Sequence, residues 1–503
     1  MACLILPCRV GAQLPPLGVP GGVVRLELDG TLATFDRRFL NGQREGYGAD
    51  LSSPTLGSDR IPLLADADAR VGRIIGNAGY RINLGGLTTD TQGSIGTGFI
   101  GLALGLTSHI AIFGRIPLVQ TRVQSSMTVD PATADAGISP SIDQQIPFFS
   151  EMDASLSTLS ARISAGDYDA NPSQKALAQS TLADATALRD DLFGLLADPG
   201  TAAPAVPTSA SAAGAAINSR VGALQTTLSA DLGIPGFTLT PSLPASAITE
   251  PELNALLTDP TGPIALRLNA ATQTFRGDAE AGTSLTLVDH WDRGSARGGF
   301  RAALSGLVRF PTGLRESPDR PLDLGTGEGQ TDFQVDLVTD LGAGAFGARL
   351  TGSYVRQLAS DILVRVTSPR QPFVGTDRLA IVRRDPGDIV ALGVHPFYRL
   401  ARTFALTAGL DHWSHGTDVV SFAHPELPVP GVDASLYAEE SKANATVLTA
   451  GVTYANPGGL RPGGTGLPVD ATLTYERVLA AGGGRVPDSQ AIRATFSVYF
   501  GLW

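Results

Sequence analysis

The stretch from Arg301 to Tyr354 constrains the fold most, because its side chains change character at every second residue. Between residues 301 and 310 the even positions are apolar or small, whereas the odd positions include Arg301, Ser305 and Arg309. A long loop rich in glycine, proline and aspartate follows, and a tight turn at 341–344 then joins two more alternating runs. Such alternation is the pattern of β-strands with one apolar and one polar face. Charged faces, long loops at one end and tight turns at the other predict a transmembrane β-barrel.

The same pattern predicts twelve strands from residue 69 onward, each long enough for a tilted membrane crossing of about 9–11 residues. These strands are expected at 69–82, 92–106, 109–126, 281–291, 296–310, 331–340, 343–356, 388–399, 402–413, 446–456, 469–478 and 490–502. The connections alternate in length, since 341–344 is short whereas 311–330 and 357–387 are long. We therefore predict an all-β fold, an antiparallel transmembrane β-barrel of about 12 strands, with 14 strands as the alternative.

The predicted organisation of the chain has five segments. Residues 1–12 resemble a secretory signal peptide that lacks its basic beginning. Residues 13–68 form an N-terminal segment with one extra strand near Val23–Leu28, inside or outside the barrel. The first barrel segment covers 69–127, an insertion covers 128–275, and the second barrel segment, which ends in a C-terminal closing strand, covers 276–503.

The insertion differs from the barrel segments because its leucines recur at helical spacing, as at Leu188, Leu192 and Leu195. This pattern predicts two to four helices with a helical core at 149–260. Glu252 follows Thr249 at the spacing of a capping box, which favours a short last helix. Because the connections alternate, the insertion falls on the side of the long loops, which is the external side of outer-membrane barrels. A cap, plug or partner-docking element and a decoration without a role in transport both remain open.

Composition excludes several classes of function. The net charge of -11 argues against a general nucleic-acid surface. Both cysteines, Cys3 and Cys8, lie at the very start of the chain, so the rest of it has neither disulfides nor cysteine metal sites. His412 and His415 lie three residues apart, but strand alternation places them on opposite faces. We therefore predict no cofactor, no metal site, no catalytic residues, and a protein that is not an enzyme.

Two sets of side chains are predicted to matter for a barrel. Charged residues on the inner face guide a charged solute or pair with one another as salt bridges. These lumen-lining candidates are Arg301, Arg309, Asp332, Asp336, Arg349, Asp411 and Arg493. Aromatic residues at strand ends are expected to form girdles at the two membrane surfaces. The girdle candidates are Trp291, Trp413, Tyr354 and Phe500, with the two tryptophans at opposite ends of the wall.

The last segment, from Ile492 to Trp503, alternates between apolar and polar residues and ends in an aromatic residue. It resembles the closing strand of bacterial outer-membrane barrels. This resemblance implies that the barrel assembly machinery recognises the segment.

Several short stretches resemble the phenol-degradation (meta-pathway) outer-membrane protein family, which is akin to the fatty-acid and aromatic-hydrocarbon transporters. The matching stretches run from Leu104 to Ile110, from Arg115 to Val119, from Arg276 to Asp278, from Phe310 to Gly313, from Gly325 to Gly327 and from Gln330 to Asp332. They are turn and strand-start signatures, and the helical insertion does not share the resemblance. The resemblance implies an uptake barrel in the outer membrane of a Gram-negative cell.

The sequence thus predicts a channel for the passive uptake of a small solute, with an aromatic or apolar molecule as the candidate. The resemblance itself implies an uptake channel and names no solute. The alternative is a surface-exposed structural or adhesion protein that uses the barrel as an anchor for the helical insertion. The expected partners are outer-membrane lipid, the assembly machinery and the solute, with no nucleic acid. The oligomeric state is left open.

Overall fold

The main sheet is a closed antiparallel barrel of twelve strands. The computed structural model describes residues 17–291, 298–401, 403–456 and 468–502, so the predicted signal peptide at 1–12 and Trp503 lie outside it. The wall strands are β1 (Val23–Phe35), β2 (Gly86–Gly105), β3 (Ile110–Asp130), β4 (Glu280–Trp291), β5 (Gly298–Arg309), β6 (Asp332–Ala343), β7 (Phe346–Gln357), β8 (Ile389–Arg399), β9 (Phe404–His415), β10 (Ala443–Ala455), β11 (Val469–Gly482) and β12 (Gln490–Gly501). Each strand pairs with the next, and β12 pairs with β1. The predicted all-β barrel of twelve strands is confirmed.

One predicted strand is wrong, and one strand that was left open belongs to the wall. The segment 69–82 was predicted as a strand, but helix α1 (Ala65–Ile75) covers its first half. Ala67, Val71 and Ile74 are buried, and their spacing of three and four residues is that of one helix face. Strand β1 takes the missing place in the barrel, between β12 and β2. The count of twelve is correct because β1 takes the place of the strand that was wrongly predicted at 69–82.

The two faces of the wall have opposite character. Large apolar side chains point outward, and Leu102, Leu392 and Ile492 are 57%, 62% and 56% exposed. Inner positions are polar, and Asp340 and Arg301 are 0% and 2% exposed. A closed barrel leaves no wall strand without a neighbour, and an apolar outer belt is stable in contact with lipid rather than water. The barrel is therefore a membrane-spanning barrel of the outer-membrane type.

The chain uses the two ends of the barrel differently. One end, called here the short-turn end, has a tight connection between Gly105 and Ile110 and the pairing of Val23 with Gly501. The other, called the long-loop end, carries the segments 36–85, 131–270, 310–331, 358–388 and 416–442. Strands β2 and β3, with 20 and 21 residues, project beyond their neighbours at the long-loop end. The short strand Ala271–Arg276 pairs with this projecting end of β3, directly before β4 begins.

Helix α1 and four further helices form one group at the long-loop end, called here the helical cap. The four are α2 (Ile142–Ala165), α3 (Pro172–Leu196), α4 (Ala212–Thr226) and α5 (Glu250–Thr258). Met152 and Leu192 are fully buried in the core of the cap. The same core includes Phe35 at the end of β1 and Ile95 of β2, so the cap is seated on the barrel wall.

Local sequence explains where several of these helices begin. The Asn171 side chain accepts hydrogen bonds from the N–H groups of Ser173 and Gln174 at the start of α3, which satisfies donors that the helix itself leaves free. The predicted capping box of Thr249 and Glu252 is present at the start of α5. The insertion holds four helices, within the predicted range, although the first begins at residue 142 rather than 149.

Short strands and single helical turns complete the described regions of the chain. The strands form two three-stranded sheets and one pair, namely Arg37–Leu40 with Gln43–Gly46 and Arg485–Pro487, Ser360–Arg365 with Leu379–Asp385 and Val419–Phe422, and Ala136–Ile138 with Ala205–Pro207. The helical turns are Ala49–Leu51, Pro62–Leu64, Pro131–Thr133, Thr227–Asp231, Thr376–Arg378 and Ala434–Ala438. Within the residues that the structure describes, no helix is both long enough and apolar enough to cross a membrane.

Candidate functional site in the barrel interior

The seven charged residues that strand phase assigned to the inner face all point toward the interior. Each of them bonds to a side chain on a neighbouring wall strand. Arg493 is one example, because its Nε donates to Thr31 Oγ1 at 3.1 Å across the seam between β12 and β1. Alternation in the sequence therefore predicts that these side chains point inward, whereas only the structure identifies the side chains to which they bond.

The ion-pair layer near the short-turn end places one carboxylate between two guanidinium groups. Asp340 Oδ2 lies 2.7 Å from Arg301 Nη2, and Asp340 Oδ1 lies 2.6 Å from Arg349 Nε. The three residues stand directly opposite one another on β5, β6 and β7. All three are buried, so these charges attract one another more strongly than they would in water. Asp340 was missing from the predicted lumen set, although it shares the phase of Asp332 and Asp336.

Trp291 lies on the inner face beside this layer and not in an outer girdle. Its ring centre is 6.2 Å from that of Phe397 and 4.9 Å from the guanidinium carbon of Arg301. The cause is a β-bulge in the pairing of β4 with β5, where the register shifts after Ala302 and leaves Leu287 without an opposite residue. One extra residue reverses the facing of all residues beyond it. The girdle prediction for Trp291 is therefore wrong.

Trp413 also points inward, where it is partly buried against Phe39 near the long-loop end. Asp411 precedes it by two residues and faces the interior, so period-two alternation requires Trp413 to share that face. The girdle prediction for Trp413 is wrong and was incompatible with the lumen prediction for Asp411. Tyr354 and Phe500 do point outward, at opposite ends of the wall, and are 45% and 50% exposed. Their membership of a girdle stays a prediction.

The ion-pair layer nearer the long-loop end is built around Glu280. Its Oε2 lies 3.0 Å from Arg115 Nη2, and its Oε1 lies 3.3 Å from Arg309 Nε. Arg309 Nη1 also lies 2.8 Å from Asp332 Oδ2. Arg115 and Glu280 were not among the predicted lumen residues, and they come from strands on the two sides of the insertion. Only the register, which sets Glu280 opposite both arginines, identifies this layer.

Between the two layers, carboxylates have amide, hydroxyl or imidazole partners. Asp336 Oδ1 accepts hydrogen bonds from Ser353 Oγ and Gln334 Nε2, each at 2.7 Å. Asp411 Oδ1 lies 2.9 Å from Nε2 of the fully buried His395. The interior thus carries polar groups of both charge signs at several heights along the barrel.

Two cavities lie among these layers. The lower cavity has a volume of about 200 Å³, and the N-terminal residues Leu17–Val19 contribute to its lining near the short-turn end. The upper cavity has a volume of about 220 Å³, and the loop residues Gly325–Glu328 contribute to its lining near the long-loop end. Arg115, Leu307 and Gln334 line both cavities, so the two are neighbours along the barrel.

The two histidines whose spacing resembles a metal site have separate partners. His412 Nδ1 lies 3.1 Å from Thr446 Oγ1 on the exposed side of the wall, whereas the buried His415 has its Nδ1 2.9 Å from the carbonyl oxygen of Ser441. Over the described stretches of the chain, no three His, Cys, Asp or Glu residues are grouped closely enough to hold a metal ion.

These features define the class of the protein as an outer-membrane-type barrel with an ion-paired interior and a helical cap. No family model and no curated protein matches the chain. Similar solved structures include an outer membrane channel from Pseudomonas putida F1, with 11% sequence identity over 97% of this chain and 100% of that chain and a TM-score of 0.43. The monoaromatic hydrocarbon channel CymD has 9% identity over 96% of this chain and 89% of that chain and a TM-score of 0.27. A Pseudomonas aeruginosa FadL homologue has 8% identity over 96% of this chain and 90% of that chain and a TM-score of 0.28. At such identities the likeness concerns the fold alone.

Proposed function

We propose that this protein is a passive channel that lets a small solute cross the outer membrane. The observation that carries the proposal is the pair of neighbouring cavities inside a closed barrel with a polar inner face. A barrel that served only as an anchor would have no need of such space. Both cavities exceed the volume of roughly 150 Å³ that holds a benzene molecule in an engineered protein cavity. Passage follows the concentration gradient of the solute.

The lining of the upper cavity suits a solute with an apolar body and a polar group. Ile95, Val119 and Leu324 contribute apolar surface, whereas Arg309 and Glu280 contribute charges that are paired with each other. Such charged groups form strong hydrogen bonds with a polar group of the solute. The predicted aromatic or apolar solute fits the apolar side of this lining and stays a prediction.

The orientation that we propose has the helical cap and the long loops at the cell surface and the short turns in the periplasm, as in other outer-membrane barrels. The outward residues of β12 include Ile492, Phe496 and Phe500, which are exposed to lipid. We expect this strand to engage the barrel assembly machinery before it pairs with β1.

Reconstitution into lipid tests the channel function. Purified protein in planar bilayers should give discrete conductance steps, and proteoliposomes should take up small aromatic solutes faster than protein-free liposomes. Ser305→Trp fills the lower cavity, which Ser305 lines, and should reduce both conductance and uptake. Leu304→Trp is the matched control, because Leu304 is the preceding residue and points outward. The absence of conductance and of uptake for every solute in a panel would overturn the proposal.

A second candidate function is display of the helical cap at the cell surface. The cap exposes apolar residues to solvent, and Ile142, Ile146 and Leu177 are 36%, 57% and 38% exposed. Replacing residues 142–258 with a short linker distinguishes the two functions. Loss of cell-surface binding with unchanged permeability would favour display, whereas changed permeability with unchanged binding would favour the channel.

A further inference from the structure

Three stretches that carried the sequence resemblance, 276–278, 310–313 and 325–327, are separate in the sequence, the last two within one loop. In the structure they meet at one point of the wall, where Ala271–Arg276 ends and β4 begins. The loop between β5 and β6, residues 310–331, folds back onto this point. The contact between loop and wall, called here the loop knot, consists of Gly277, Asp278, Thr312, Gly313, Thr326 and Gly327.

Asp278 bonds to both halves of the loop. Its Oδ1 accepts a hydrogen bond from the N–H of Gly313 at 2.8 Å, and its Oδ2 accepts one from the N–H of Glu328 at 3.0 Å. Asp278 is buried, so water competes little for these bonds. Hydrogen bonds to an ionised acceptor are stronger than those between neutral groups. One carboxylate of the wall therefore ties the start of the loop to its end.

Two threonines of the loop add bonds to the wall backbone. Thr312 Oγ1 donates to the carbonyl oxygen of Gly277 and accepts from the N–H of Ala279, each at 2.8 Å. Thr326 Oγ1 donates to the carbonyl oxygen of Arg276 at 3.0 Å. Both halves of the loop are thus held by the same short stretch of wall.

Two glycines permit this close approach. A Cβ atom on Gly327 would lie 2.5 Å from Asp278 Oδ1, and a Cβ atom on Gly313 would lie 2.7 Å from Gly327 Cα. Side chains at these positions would force the two halves of the loop apart. Gly313 and Gly327 are therefore packing positions of the loop knot.

The loop knot stands beside the upper cavity. Asp278 and the loop residues Gly325–Glu328 line that cavity. Glu328 Oε2 also accepts hydrogen bonds of 2.7 Å from Gln330 Nε2 and from Gln357 Nε2, which connects the end of the loop to β7. The loop therefore occupies some of the cross-section of the barrel at the long-loop end.

We propose that Asp278 clamps the 310–331 loop inward and thereby sets the width of the solute path at the upper cavity. The effect on width rests on the proposed channel function, whereas the clamp is a property of the fold. Without the carboxylate, the amides of Gly313 and Glu328 lose their shared acceptor. The loop is then free to move away from the cavity, and the path widens.

The variant Asp278→Ala tests the clamp and the width with separate readouts. Trypsin cleavage after Arg315, which lies in the loop and is followed by Glu316, reports release of the loop. We expect cleavage about tenfold faster than in the wild type, because hydrogen bonds to a charged group are lost. Single-channel conductance reports the width and should roughly double. The matched control is Asp135→Ala, which removes a carboxylate that accepts a backbone hydrogen bond from Asn83 at the same end but outside the loop.

Each outcome decides either the clamp or the width. Heat-modifiable migration on gels shows whether a variant is folded, and Gly327→Ala replaces Asp278→Ala if the latter does not fold. If cleavage is unchanged in a folded Asp278 variant, or if Asp135→Ala speeds cleavage equally, Asp278 does not clamp the loop. If the wild type conducts, and the variant is cleaved faster but has unchanged conductance, the clamp does not set the width of the solute path. A wild type that does not conduct overturns the channel function and the width, while the cleavage result still decides the clamp.

Discussion

Most leucines of the helical cap point inward, whereas most leucines of the barrel wall point outward. Leu192 of the cap is 0% exposed, and Leu392 of the barrel is 62% exposed. Charged residues show the reverse arrangement. Asp340 is buried inside the barrel, while the pair formed by Arg189 and Asp153 lies on the surface of the cap. Two regions of one chain, in contact through a shared core, thus have opposite interiors.

The surroundings of each region explain this difference. The cap stands in water and is stabilised by burying apolar area, at about 25 cal/mol per Å². The barrel wall stands in lipid, which is as apolar as a leucine side chain, so turning leucines inward would bring no such stabilisation. Its buried charges need matched partners, because an unpaired charge in a low-dielectric interior is costly. A given type of substitution should therefore have different consequences in the two regions.

The largest expected effect is the loss of the central carboxylate of the barrel. Asp340→Ala leaves Arg301 and Arg349 close together without the carboxylate that they share. Removing one partner of a buried ion pair destabilises a protein by about 3–5 kcal/mol. Urea unfolding in lipid vesicles, followed by tryptophan fluorescence, measures the change, because Trp291 stacks against Arg301.

An exposed ion pair provides the control for this variant. Asp361→Ala removes the partner of Arg383, and both side chains are more than half exposed to solvent. The loss of such a pair should cost less than about 1 kcal/mol. If both variants lost the same stability, the interior of the barrel would not depend on matched charges.

A smaller effect compares one leucine from each region. Leu192→Ala should destabilise the cap by about 2–5 kcal/mol, because it leaves a cavity in a packed core. Leu392→Ala on the lipid face should change stability by less than about 1 kcal/mol. Trp291 and Trp413 belong to wall strands, so their fluorescence reports the barrel while helical circular dichroism reports the cap. Equal losses of stability in the two variants would contradict the view that leucines stabilise the cap by burial but do not stabilise the barrel wall in this way.

The sequence predicts the barrel well because alternation encodes the two faces of each strand directly. The expected facing of Arg301 and Arg309 follows from alternation alone, and the structure has both side chains inside. Alternation does not identify cross-strand partners. That Glu280 lies opposite Arg309 follows only from the register of β4 against β5. It also fails beyond a bulge, where the extra residue Leu287 turns Trp291 inward.

The helical cap shows a second limit of sequence reasoning. Helical spacing predicted helices within the insertion, but it did not predict that α1 joins them from the other side of β2 and β3. Short apolar runs such as the one around Val71 and Ile74 fit either a strand or a helix. The contacts of these two residues with the core of the cap decide between the two structures, and such contacts are not visible in the local pattern.

The smallest expected effect concerns the pH dependence of stability, which should have opposite signs in two regions at the long-loop end. In the cap, burial raises the pKa of Asp68, although the N–H of Ile82 donates a hydrogen bond to its carboxylate. At the rim of the barrel, burial disfavours the charged form of Asp50, but Arg38 and Arg485 outweigh this effect and lower the pKa of Asp50. The two carboxyl groups therefore link stability to pH with opposite signs.

A carboxyl group whose pKa is raised by folding stabilises the fold as pH falls through that pKa toward about 4, the value in an unfolded chain. A carboxyl group whose pKa is lowered gives stability that is complete above about 4 and lost as pH falls further. Hydrogen exchange, corrected for its intrinsic pH dependence, should show rising protection of residues 65–75 between pH values of about 7 and 4, and falling protection of residues 37–51 below about 4. Asp68→Asn and Asp50→Asn should each abolish the response of their own segment alone. If the two segments instead lost protection together at one pH, cap and rim would open as one cooperative unit, and their different interiors would not give them separate stabilities.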